Sequence, residues 1–540
     1  MVDFYFFRGN SPEEIFVNIL MKIPMKKFHF VFPILIFFLT ISCKNNEPVG
    51  SLIDNTLITL NESDYRPNFH FTPPLHWMND PNGLVYYKGE YHLFYQYNPG
   101  GNTWGPMNWG HAISTDLFNW QDLSIALTPD NLGTIFSGSA VVDSLNTSGF
   151  QSGDELPLVA IYTSAGTMQS QSVAYSNDKG RNWTKYSNNP VLPNPEINDF
   201  RDPKVSWYAP LNRWIMALAT GNKISFYSSA DLKSWTFESD FGIGFGAHGG
   251  VWECPDLFQM KVEGTNLKKW VLIVSINPGG PNGGSATQYF TGNFDGKTFT
   301  ADSNVTSWVD YGTDNYAGVT YSNLPTADGR RIMIGWMSNW NYAGLVPTTS
   351  WRSTMTVPRV VTLIQYGTSF KLRFNPVDEL KNYKNQLTIE NQIANKAVDI
   401  ENNEILKSGS YELNFDADLS ISDSLKIITG NLIEKLIILF DKNSGLVTID
   451  RSHSGPNTFS NFFKQNVLCN SLNLRTDKKI DVRMLIDKTS VELFWNHGEN
   501  SMTALFFPAY QYNYMKVEGN TTYPFISNFT LNGLNKSLKR

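Results

Sequence analysis

The chain has 540 residues, more than one hydrophobic core can serve, so two or more domains are expected. Its 43 basic and 49 acidic residues leave a formal charge of −6 with no basic block, which excludes a nucleic-acid grip. Three cysteines without a CxxC or Cys/His cluster exclude a disulfide framework and structural zinc, whereas 15 Trp, 24 Tyr and 36 Phe suit a protein that packs sugar rings on aromatic faces.

The first predicted element runs over residues 25–43, MKKFHFVFPILIFFLTISC. Lys26 and Lys27 precede an apolar run of 14 residues, Phe28 to Ile41, and Ser42-Cys43 follow. This reads as an export signal, because the run is shorter than the roughly 18 residues that a spanning helix needs. Leu39-Thr40-Ile41-Ser42-Cys43 is similar to a bacterial lipoprotein box, with Thr40 where Leu is commoner. It predicts lipidation at Cys43 and anchoring to the outer membrane, at the cell surface or the periplasmic face. An ordinary cleaved signal, giving a secreted or periplasmic protein, and a retained anchor are the alternatives. Residues 1–24 make little sense as an n-region, so translation is expected to begin at Met25 and 1–43 to be a leader. Residues 44–66 are polar and read as a tether.

From about residue 70 the pattern is short β-like runs between Gly, Asn, Asp and Pro turns, with no long amphipathic helix, so the class is all-β. The opening run, HWMNDPNGLVYY, carries Asn-Asp-Pro-Asn-Gly, a strong signal for a tight turn presenting Asp80. A repeat follows: a strand, an Asp-containing turn, and an aromatic residue at Trp120, Trp183, Trp235 and Phe299, at spacings of 63, 52 and 64 residues. Four copies plus the Trp336 region predict a five-bladed β-propeller over 67–375, against the alternative of an ordinary sandwich with chance hairpins. A linker over 376–390 leads to a C-terminal β-sandwich over 391–540, expected to brace the propeller.

Loops at one end of a propeller converge, so residues distant in sequence can form one site. Among the acidic residues beside or one residue from a proline, three share the peculiarity within motif-like stretches: Asp80 in NDPNG, Asp202 in FRDPK and Glu253 in WECPDLF. Proline should hold Asp80 and Asp202 on stiff, extended backbone at strand ends. Paired, aimed carboxyl groups are what glycoside cleavage needs. Trp252, Leu257 and Phe258 should raise the pKa of Glu253 and suit it to the acid/base role. Turn amides should keep Asp80 ionised as the nucleophile, and Arg201 should keep Asp202 ionised for binding hydroxyls. Gly244-x-Gly246-x-x-Gly249 mimics a dinucleotide fingerprint, but no βαβ rhythm supports it. No helix-borne metal motif occurs, so neither metal nor cofactor is expected.

HWMNDPNG, YHLFYQYNPGGNTWGPMNWGHAISTDLFNW, FSGS at 136–139, FRDPK, WECPDLF, VDYGTDNYA and IDKTSVELFWNHG occur in that order, and the chain from about 68 to 535 thereby resembles glycoside hydrolase family 32, the levanases, inulinases and invertases. The resemblance implies a five-bladed propeller followed by a β-sandwich, with Asp80 as nucleophile, Glu253 as acid/base and Asp202 as transition-state stabiliser. It also implies a terminal-fructose subsite of Asn79, Gln96, Trp104, Phe136, Ser137, Arg201 and Trp336, with Trp340 or Tyr342 as substitutes for Trp336. The expected activity is retaining hydrolysis of β-fructofuranosidic bonds in levan, inulin or sucrose. Exo release of fructose is expected from the WGPMNWGHA stretch; an endo-levanase, a fructosyltransferase and a non-catalytic glycan-binding surface lipoprotein are the alternatives.

Overall fold

The computed structural model describes residues 57–471 and 479–536. The leader, the lipidation residue Cys43 and the start at Met25 lie outside these residues. Among the described residues no helix is long and apolar enough to cross a membrane.

Five antiparallel sheets follow one another along the chain. Their innermost strands are His76–Tyr87, Thr134–Val142, Phe200–Tyr208, Val251–Lys261 and Tyr316–Thr320, and each contacts the next around a closed ring. Apolar clusters fill the space between neighbouring sheets, as where Phe94 and Trp109 of the first blade meet Ile135 and Tyr162 of the second. The ring is closed by Trp351–Arg352, a late segment that pairs in parallel with His76 and Trp77 of the first blade. The protein is therefore a five-bladed propeller followed by a second β domain.

The aromatic repeat marks the outermost hairpins of the first four blades. In each, the aspartate of the turn accepts backbone N–H groups from residues two to four positions onward: Asp116 from Phe118 and Asn119, Asp178 from Asn182, Asp231 from Lys233 and Ser234, and Asp295 from Lys297 and Thr298. Asp is required there because its carboxylate replaces backbone acceptors that the turn lacks. The fifth blade does not repeat this turn. Trp336 lies in its second strand, Arg331–Met337, and not at an outer hairpin.

After a 3-10 turn over Asp378–Tyr383, two six-stranded sheets pack face to face around one apolar core. Lys384–Asn391 is already a strand of this sandwich, so part of the segment expected as a linker is sheet. Residues 57–66, expected as tether, are folded onto the body. The Leu60 amide donates to the Ala509 carbonyl at 2.8 Å, and Tyr65 packs edge-on against Phe507.

Propeller and sandwich are joined through buried charge. His70 lies 2.8 Å from Asp487 and 2.7 Å from Glu492; Arg359 pairs with Asp310 at 2.8 Å and also with Glu492; Arg451 pairs with Asp314 at 3.1 Å. VDYGTDNYA and IDKTSVELFWNHG thus supply opposite sides of one interface. A Cβ on Gly312 would come within 1.9 Å of the Thr503 carbonyl oxygen, so only glycine allows this approach.

Candidate active site

HWMNDPNGLVYY is one continuous strand, His76–Tyr87, and the expected tight turn at Asp80 does not form. What the turn residues build is a bulge. Asn79 and Asp80 together oppose the single residue Gln96, between the pairs Met78–Tyr97 and Pro81–Tyr95. Every inner strand carries the same defect at the same level: Phe136-Ser137 oppose Thr163, Asp202-Pro203 oppose Leu218, Cys254-Pro255 oppose Val274, and Ala317-Gly318 oppose Gly335. A bulge re-aims side chains that a regular strand would alternate. Proline fits because the bulge leaves an N–H without a ladder partner.

Asp202 departs from expectation. Its φ is +64°, which is left-handed and not extended, and it sits within a strand. Its own amide donates to Thr163 Oγ at 3.0 Å, while its carboxylate accepts the Cys254 amide at 3.0 Å. These bonds hold a conformation that Asp tolerates better than most residues.

The bulges bring Asn79, Asp80, Gln96, Trp104, Phe136, Ser137, Arg201, Asp202, Glu253 and Trp340 around one cavity of about 280 Å³. Asp80 accepts hydrogen bonds from Ser137 Oγ at 2.6 Å and Asn79 Nδ2 at 3.1 Å, and Trp77 Nε1 in turn orients Asn79 at 2.8 Å. The Cys254 thiol lies 3.6 Å from both Asp80 and Asp202, so the two carboxylates flank one sulfur. Burial pushes that thiol well above its ordinary pKa, which keeps it protonated and unfit as a nucleophile.

The surroundings of the acids differ from those their sequence neighbours suggest. The Asp80 partners are side chains and not turn amides; burial pushes its pKa up, opposed by Ser137 and Asn79 and assisted by Glu253. Burial also pushes Asp202 up, to about 7, against the pull of Arg201 and with help from Glu253 and Asp80. The expectation that Arg201 holds Asp202 low fails because burial outweighs the guanidinium's pull; that guanidinium hydrogen-bonds to Asp199 at 2.5 Å and Glu253 at 3.0 Å. Glu253 is not in an apolar pocket. Trp252 turns into the blade core, and Glu253 itself meets Arg201 and the hydroxyl of Tyr316.

Trp336 is fully buried, behind Trp340, with ring centroids 4.8 Å apart. Trp340 lines the cavity and stacks on Trp77 at 6.0 Å. Tyr342 is buried and donates to Asp314 at the domain interface. Trp340, not Trp336, thus lines the cavity; Trp336 lies within the strand Arg331–Met337 and Trp340 beyond its end. Tyr316 and Cys254 lie within VDYGTDNYA and WECPDLF, but nothing in those stretches assigns either one to the carboxylates; the ring of bulges does.

Residues 70–376 match the family model for the glycosyl hydrolases family 32 N-terminal domain, and 378–532 the C-terminal one. The chain is 48% identical over 467 residues to a levanase of Bacillus subtilis, covering 83% of this chain and 67% of that protein. It is 38% identical to an extracellular exo-inulinase of Aspergillus awamori, covering 83% and 90%. Among solved structures, a β-fructofuranosidase of Schwanniomyces occidentalis complexed with fructosyl-erythritol superposes with a TM-score of 0.81 at 34% identity, covering 88% of this chain and 99% of that one.

Proposed function

The chain belongs to glycosyl hydrolases family 32, and from that premise we propose that it cleaves β-fructofuranosidic bonds with retention, using Asp80, Glu253 and Asp202. The observation that carries this reading is the convergence of all three carboxyl groups on one cavity. Asp80, held by Ser137 and Asn79, attacks the anomeric carbon of the terminal fructosyl unit. Glu253 gives its proton to the departing glycosidic oxygen, leaving a fructosyl ester on Asp80. Glu253 then takes a proton from water, which hydrolyses the ester. Arg201 and Tyr316, bonded to the two oxygens of Glu253, orient it for both transfers. Asp202 grips ring hydroxyls and favours the positive charge that develops as the ring flattens.

Cavity size favours exo action. About 280 Å³ framed by Trp104, Phe136 and Trp340 suits a chain end better than the middle of a polymer. The substrate is a fructan or sucrose. Incubation with levan, inulin and sucrose, with products resolved over time, tests this. Fructose alone from the first time point is expected; a ladder of oligomers overturns exo action, and transfer products from sucrose overturn hydrolysis.

Export is inferred from the leader and from relatives named as extracellular. A lipid on Cys43 would hold the enzyme at the outer membrane; Cys43→Ala is expected to release it to the soluble fraction on cell fractionation.

A further inference from the structure

The inner strands that end in the catalytic cavity also line a second cavity at their opposite end. It measures about 580 Å³, roughly twice the 280 Å³ at the carboxylates. Asp202 and Glu253 face the first cavity, while Ser206–Tyr208 and Asp256–Gln259 of the same two strands line the second. Lys204 lies two residues beyond Asp202, a rise of about 7 Å along the strand.

Its lining is aromatic. Trp207 meets Trp214 edge-on at 5.0 Å, and Tyr208 meets Trp270 at 5.8 Å. Trp207, Tyr208 and Trp270 are only half-buried, leaving ring surface open to a ligand. Two buried polar atoms behind the lining have no protein partner. Asp256 is 1% exposed; its Oδ2 accepts the Thr320 amide and hydroxyl, at 2.6 and 2.8 Å, but its Oδ1 accepts nothing. The hydroxyl of Tyr321, in a residue wholly inaccessible to solvent, is likewise unpaired.

The charges narrow the ligand's chemistry. Lys204 sits 3.1 Å from Asp256 and donates to the Thr320 carbonyl at 2.6 Å, and Arg331 donates to the Tyr321 carbonyl at 3.2 Å. These cations repel a cationic ligand, and the free Asp256 oxygen repels an anion. A neutral molecule with hydroxyl donors on a carbon frame that can lie on indole faces fits both conditions. We propose that this cavity is a second, non-catalytic site that holds a segment of the fructan whose end enters the catalytic cavity of the same or another copy. The proposal rests on the function given above and adds a polymer-retention site to it.

The test uses the full chain carrying Asp80→Asn, so that polymer is not consumed, in native gels containing levan and, in parallel, inulin. Retardation is expected in at least one gel. Gln259→Trp, at an exposed lining position where added bulk fills the cavity, should reduce that retardation at least fivefold; Trp270→Ala should do the same by removing a platform. On the active background, Gln259→Trp should raise KM for the retained polymer and leave sucrose turnover unchanged. Unaltered retardation in both variants overturns the proposal, as does a fall in sucrose turnover matching the polymer effect. An enzyme that hydrolyses neither sucrose nor fructan overturns the functional reading instead, so the two failures are distinguishable.

Discussion

Burying Asp202 sets catalysis against stability. Its pKa rises on folding from 3.8 to about 7, so the neutral form is the one the fold favours. The contribution is fully present below pH 3.8 and is lost as pH rises through about 7. Asp202→Asn should therefore raise Tm by several degrees at pH 7.5 and little at pH 3.5 while abolishing turnover; thermal melts with parallel assays check both. Asp80→Asn should lower kcat by roughly four orders of magnitude without unfolding the chain. Because burial raises Asp80 as well, the acid limb of kcat/KM should lie above the ordinary carboxylate value of 3.8. Tyr316→Phe removes one donor to Glu253 and should cost about 10- to 100-fold in kcat, the worth of a hydrogen bond to a charged group. The three acids were legible because each falls in a stretch, NDPNG, FRDPK or WECPDLF, that carries the family resemblance. Their environments were not. Arg201 adjoins Asp202 in sequence but turns to Glu253, and Trp340 could not be told from Trp336 without knowing where the strand stops.

At the scale of the element, the five inner bulges are the device that makes a site out of sheets. Thr163 anchors one of them through the Asp202 amide. Thr163→Val, nearly isosteric, leaves that buried N–H unpaired and should destabilise by about 1–3 kcal/mol, with a further loss of activity as Asp202 drifts. Urea unfolding beside kcat/KM reads both. The outer hairpins were readable in sequence because an Asx turn is local chemistry, complete within five residues. The bulge at Asp80 was misread as a turn for the same reason. Asn, Asp, Pro and Gly answer to positive φ and a missing N–H, which tight turns and bulges share, and only the partner strand distinguishes them.

At the scale of the whole molecule, stability concentrates where propeller meets sandwich. His70, wholly buried between Asp487 and Glu492, has its pKa raised from 6.5 to about 9; burial pulls it down, and the two carboxylates outweigh that. Its contribution is complete below pH 6.5 and fades as pH rises through about 9. Tm should fall across that window, and His70→Gln should flatten the dependence. Glu492→Gln strips the partner from both His70 and Arg359 and should cost about 3–5 kcal/mol, measured by denaturant unfolding. The two-domain order could be read from changing texture along the chain, but this interface could not, since the charges that meet across it, such as His70 and Asp487, come from segments far apart in sequence. The short Trp351–Arg352 segment has a wider reach than its two residues suggest. All three acids are synthesised long before it, yet the seam between first and last blades, already bridged by Ser322 to Leu84 and Tyr86, is completed only when it docks beside His76 and Trp77. A nascent or truncated chain that stops short of it should carry every reacting group and turn over nothing, so the enzyme stays silent until its last blade is home.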